Sequence, residues 1–443
     1  MPAAIITGVA AVLGGGAIAT AVATFAVNFA ISAVIGAVFG PDEPDRSDRP
    51  AAKDAGVDTR VSPNPTNKLP IIYGESRVRG TVVMADMSSD NQRMAYIIAL
   101  GEGNINHVSN VYWEDKTLSL DGDVLTGTRG VTGAVDSDGT SHSFLNGNLF
   151  IRVFPDGGLC TPMESFSSAW NNNSSNRTMP QTAYMYVEIK YNREEGVTRL
   201  SDISLDVQGK KIRTLTSNVA SGSTYSNNPA EVILDYLTDT TSGLGLADSQ
   251  IDLESLQDLK TFCDENVNYT TIAGSTGTAK RYTCNGVINT NEATSSNLKS
   301  LLSSCQSTLA FSLGKFSVVI NKAKAVTRTL GDDDIIGGIS VTDSGFEGLT
   351  NNLTLRYRSK NNNDKGDQVV LESPASVKNF NEPLLERTVD LNFSNNNVEV
   401  ERTGTIMLNQ SRQSLTAKFV TTVKHLDLSS GDKIGRASCR ERV

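Results

Sequence analysis

After its first 68 residues the chain changes hydrophobic period twice, and that order of periods limits the folds open to it. From 69 to 226 apolar residues alternate along short segments bounded by Gly, Asn and Ser. Ile71 and Ile72 lead to Tyr73-Gly74, and Val78, Val82, Val83, Tyr96–Leu100, Val108–Trp113, Phe150–Val153 and Ala183–Tyr191 (AYMYVEIKY) follow. A period of two between turn residues is the pattern of strands. Between 227 and 325 the period lengthens. Asn228 before Pro229 suits an N-cap and a first helical turn, and Val232, Ile233, Tyr236 and Leu237 form a stripe that stops at Gly243 and Gly245. Asp252 heads a second stripe of Leu253, Leu256, Leu259 and Cys263, and a third runs Leu298, Leu301, Leu302 and Cys305. A strand is expected over Arg281–Ile288, and Leu309–Leu313, Gly314-Lys315 and Phe316–Ile320 read as a hairpin against which the third stripe is buried. From 326 to 433 alternation returns in Leu353, Leu355 and Tyr357, and again in Leu415, Ala417, Phe419, Thr421 and Val423. A helix over about Glu399–Arg412 would bring Ile406, Met407 and Leu408 to the core.

The expected class is therefore α+β and β-rich, with strand-rich domains at 69–226 and 326–433 flanking a small α+β domain at 227–325. A chain of 443 residues is long enough for several cores. The head differs in kind. Met1 to Gly40 carries no charged side chain, a length that can cross a bilayer. No Lys or Arg precedes the run, Gly14-Gly15-Gly16 interrupts it, and small residues such as Ala17, Ala21, Gly36 and Gly40 favour close helix packing. The expectation is an apolar Gly/Ala-rich helical segment packed in protein, with membrane contact as the competing reading. Pro41, Pro44, Pro50, Pro63 and Pro65 among charged and small residues make 41–68 a linker. At the other end Ile434–Val443 (IGRASCRERV) matches the translation of a common sequencing adapter. Native sequence is expected to stop near Asp432 and the natural chain to be longer. The adapter-derived residues are expected to make no stable contact.

Composition excludes several functions. The formal charge of −9 becomes −11 without the terminal decapeptide, which holds three arginines and one glutamate. Phosphate contact needs clustered Lys and Arg, and the sequence has no such cluster, so specific nucleic-acid binding is not expected. Cys160, Cys263, Cys284 and Cys305 form no C-x-x-C pair and have no histidine at ligand spacing, so they read as buried thiols assembled in a reducing cytoplasm. Gly274–Lys280 (GSTGTAK) lacks the spacing of a phosphate loop and reads as a surface loop. Asp332, Asp333 and Asp334 are too close in sequence to converge on one Ca²⁺ and read as a solvated turn. His107, His142 and His425 stand alone. No catalytic, cofactor-binding or metal-binding residue is expected, and the chain does not read as an enzyme.

The order of segments carries a resemblance. NNPAEVILDYLTDTTSGLGL followed by IDLESLQDLKTFCDENV, then RYTCNGVINTNEATSSNLKSLLSSCQSTLAFSLGKFSVVINK, resembles the tip attachment protein J family of bacteriophage tail hubs. The agreement runs over about 100 residues and more loosely onward. The head, with LPIIYGESRVRGTVV after it, is more similar to the C-terminal part of tail assembly protein I. The resemblance implies a structural protein of the virion tail tip, a homotrimer that closes the tail tube and works with other tip and tube proteins. It further implies host attachment through a receptor-recognising region C-terminal to the hub, and support of DNA delivery. Competing readings are a membrane-associated secreted adhesin and a tail-associated lytic enzyme whose catalytic part lies elsewhere.

Overall fold

The structure, a computed structural model, describes residues 68–436 apart from 89, 167–177, 313, 344, 346–347, 379–381, 414, 426–427 and 429. The apolar head, the linker up to residue 67 and the Asn/Ser run at 171–176 therefore lie outside the described residues. Those that are described fall into two compact units, one of 68–69 and 77–207, the other of 70–76 and 208–436. Strands dominate both, as the period-two segments required.

In the first unit an antiparallel sheet runs in the order Thr81–Met87, Arg93–Glu102, Thr182–Lys190, Leu149–Phe154, Arg129–Val135, Lys116–Leu120, Ile105–Trp113. The central Thr182–Lys190 strand pairs on both sides, with Val187 opposite Tyr96 on one edge and Ile151 on the other. Its residues Ala183 to Val187 are all buried, so both faces of this strand are covered. The short helix α1 (Thr161–Phe166) covers one of these faces. Cys160 and Met163 close over Ala95, Ile97, Phe154, Tyr184 and Tyr186, with Phe154 and Tyr184 stacked at 4.7 Å. Elsewhere in this unit a buried arginine is held by its neighbours. The Arg77 guanidinium lies 3.5 Å from the centre of the Tyr112 ring and donates from Nε to Asp206 at 3.0 Å. The Tyr112 hydroxyl donates to the same carboxylate at 2.6 Å.

The larger core belongs to the second unit. Helices α2 (Pro229–Thr238), α3 (Leu253–Asp264) and α4 (Thr294–Ser303) supply it with the stripes read from sequence. Asn228 caps α2 as expected, accepting from Ala230 N at 2.9 Å, whereas Asp252 occupies the cap position of α3 without a side-chain bond. Leu298, Leu301 and Leu302 are buried in one cluster with Val318 and Ile320 of the hairpin Ser307–Ser312/Lys315–Ile320. A carboxylate sits within this core. Glu231, 1% exposed, accepts from Leu215 N at 2.8 Å, from Lys260 Nζ at 2.7 Å and from Ser226 Oγ. Three donors satisfy a charge that would otherwise be costly to bury.

A smaller cluster lies against a three-stranded sheet of Lys365–Glu372, Asn352–Ser359 and Glu386–Leu391. Leu353, Leu355 and Tyr357 face helix α5 (Asn397–Ser411), which contributes Val400 and Leu408, with Met407 partly buried beside them. At Gly404 a Cβ would stand 2.3 Å from both Leu355 Cδ1 and Leu371 Cδ1, so a larger residue here would make both leucine ends shift.

Three sequence expectations change here. Only Gly286–Ile288 of the Arg281–Ile288 stretch is a strand, pairing with Ile71–Tyr73. Gly274–Lys280 is not a plain loop: Thr276–Lys280 pairs antiparallel with Asn266–Thr270, and Gly274, at φ +85°, lies in the turn between them. Ile434–Arg436, expected to make no ordered contact, pairs in parallel with Arg328–Leu330.

Candidate assembly surface

The residues that the sequence singled out for chemistry do not converge. His107 is exposed on a strand, and His142 Nε2 stands 2.7 Å from Asp136, which also receives Lys116 Nζ at 2.8 Å. Asp334 ends the Asp332–Asp334 turn. Its carboxyl accepts from Gly331 N at 3.0 Å and faces His425 Nε2 at 3.1 Å and Lys424 Nζ at 3.5 Å. The Gly331 bond first, then the His425 contact, holds it at about 2. These contacts join the residues that flank Ile335 and Thr421, paired at one end of a two-stranded ribbon, and leave the carboxylate engaged. Cys160, Cys263, Cys284 and Cys305 are all buried, as expected, and none of the four is in a disulfide. Burial pushes the Cys284 thiol well above its ordinary range, which keeps it unreactive. Among the described residues no group of three or more His, Cys, Asp and Glu could hold a metal ion, and no helix is long and apolar enough to cross a membrane.

The surface that calls for a partner is the ribbon itself. Ile335–Asp343 pairs antiparallel with Leu415–Thr421, and among the described residues no third strand joins either edge. In register, Val341 lies opposite Ala417 and Asp343 opposite Leu415, so the alternation read in Leu415, Ala417 and Phe419 does form one face. That face is uncovered: Leu415 is 70% exposed and Val341 62%. On the opposite side Ile336 and Val420 pair, and they too are exposed. A two-stranded ribbon is at best marginally stable alone in water, and open apolar edges invite pairing with another chain. The sequence predicted the strand and its face, but not that no covering layer is found among the described residues.

No family model matches the chain. It is 22% identical over 224 residues to baseplate hub protein pb3 of Escherichia phage T5, covering 42% of this chain and 24% of that protein. Tip attachment protein J of Escherichia phage SECphi27 is 24% identical over 217 residues, covering 48% of this chain and 18% of the relative. The chain resembles the hub proteins of phage tails. The stretch matched thus spans less than a quarter of the length of either relative. A chain in the virion of a native gene transfer agent particle shares the fold, with a TM-score of 0.57 and 14% identity over 94% of this chain and 91% of that one. The resemblance read from the sequence agrees with these two relatives, and the β-rich multidomain class with the strand-rich structure.

Proposed function

We propose that this chain is a hub segment of a phage tail tip, structural rather than catalytic, which assembles as a homotrimer closing the tail tube and joins other tip and tube proteins. The observation that carries the assembly reading is the uncovered apolar ribbon of Ile335–Asp343 and Leu415–Thr421. When one copy's edge pairs with a neighbour's, that neighbour's other edge stays open. Identical copies remove every open edge only by closing into a ring. The threefold count comes from the resemblance to tip attachment protein J. Host attachment, on this reading, belongs to sequence C-terminal to the hub, and residues 1–40 offer the chain's apolar contact with membrane or protein.

The test is the oligomeric state of the purified full chain. Light scattering should give three times the 47.4 kDa monomer mass, and a monomer at high concentration counts against the hub reading. Val341→Asp combined with Leu415→Asp should yield monomers while shifting monomer stability by no more than about 0.5 kcal/mol each, the ordinary effect at exposed positions. Persistence of the trimer in this variant would remove the ribbon from the interface. The acidity has a further consequence. A formal charge of −9 per chain favours a tube wall that repels DNA and lets it slide. Titration with duplex DNA at low salt should show no binding, and micromolar or tighter affinity contradicts a repulsive bore.

A further inference from the structure

We propose that helix α5 is held on the Arg281–Asn285 segment by a proton-linked clasp, in which Glu399 docks neutral and its ionisation loosens the docking. Glu399 lies in the first turn of α5 and is 2% exposed. Its carboxyl receives two hydrogen bonds, both from one residue: Thr283 N donates at 3.2 Å and Thr283 Oγ1 at 2.9 Å. The rest of the junction is polar as well. Asn285 N donates to Phe393 O at 2.8 Å, Asn285 Nδ2 to Asn395 Oδ1 at 3.2 Å, and Ile272 N to Glu401 Oε2 at 2.9 Å. The Phe393 ring adds an apolar contact with Tyr282 and Cys284, and within this junction the charge state of the buried Glu399 matters.

The groups around Glu399 do little to stabilise its charge. From the 281–285 segment it faces Cys284, and from α3 it faces Cys263, both buried thiols. On its own helix it faces Arg402, three residues along. The Arg402 guanidinium spends Nη1 on Arg281 O, close to the Arg281 and Tyr282 side chains, and its Nη2 is buried without a partner. Burial therefore wins over the Thr283 bonds and the Arg402 charge, and pushes the Glu399 carboxyl up to about 7.

The sign follows from proton linkage. A solvated Glu releases its proton near 4.5, the docked one near 7. Between those values the docked form holds a proton that the undocked form has lost. Docking thus weakens about tenfold per pH unit across the window, roughly 300-fold in all, and is constant above it. The clasp is tight in acid and loose from neutral pH upward.

Two measurements on the full chain decide the matter. The carboxyl carbon of Glu399, followed by NMR in ¹³C-labelled protein, should titrate near pH 7, and a midpoint near 4.5 overturns the proposal. Amide exchange at Thr283 and in the first two turns of α5, corrected for intrinsic rate, should lose on the order of 100-fold protection from pH 5 to 7. Glu399→Gln keeps the shape and removes the proton, so its protection should be flat over this range. Equal pH dependence in wild type and E399Q overturns the clasp.

Discussion

Gly74→Ala is expected to cost about 2–5 kcal/mol, toward the upper end, with the loss read as a shift of the denaturant midpoint at unchanged slope. Gly74 sits at φ +63°, where an L side chain adds about 1–2 kcal/mol of strain. Its surroundings add more. A Cβ there would stand 2.1 Å from Cys284 O and 2.5 Å from Asn285 Oδ1. The first is backbone and cannot rotate away, and overpacking of this kind costs a further 1–3 kcal/mol or so. Moving Asn285 would also break its bond to Glu75 N, 2.9 Å, beside the strand pair of Ile71–Tyr73 and Gly286–Ile288. A loss below about 1 kcal/mol would show that the two segments do not approach this closely.

Leu301→Ala should cost about 2–5 kcal/mol, the range for emptying a filled core position. Leu301 is fully buried among Leu298, Leu302, Val318 and Ile320, so no neighbour can follow the lost methyls without leaving the hairpin. Lys299, exposed on the same helix, provides the control. Lys299→Ala should stay within about 0.5 kcal/mol. Comparable losses for both would mean that the effect does not come from emptying the core, since Ala is the better helix former at either position.

These two positions also separate what the sequence disclosed from what it hid. The α4 stripe was legible because i, i+3, i+4 spacing has one structural meaning when a hairpin follows it. Arg281–Asn285 misled because its apolar and polar residues alternate like a strand. Its amides are spent otherwise: Arg281 N donates to Glu265 O, Tyr282 N to Cys263 O, Thr283 N to Glu399, Cys284 N to Asn227 O and Asn285 N to Phe393 O. Five consecutive donors find five separate partners, and no local pattern announces such an arrangement. Thr276–Lys280 failed in the opposite direction. Its small polar residues suggested a loop, yet an exposed hairpin needs no apolar face to pair. The assembly surface was half visible. Leu415, Ala417 and Phe419 declare a face to be covered, and alternation reads the same whether the cover belongs to this chain or to another. Glu399 gave no signal, since an acid in the first turn of a helix is ordinarily a solvated one.

The pairing of Ile71–Tyr73 with Gly286–Ile288 also sets a timetable for synthesis. These three residues are essentially fully buried in the finished protein, but the strand that receives them emerges about 215 residues later. At roughly 5–20 residues per second the ribosome needs about 10–40 s to supply it. During that interval Ile71, Ile72 and Tyr73 wait without their final neighbour while 77–207 has time to form its own sheet. The second unit, although it takes in residues 70–76, is thus the last to close, and a nascent chain stalled before residue 286 should display this apolar tripeptide to any chaperone that binds short hydrophobic segments.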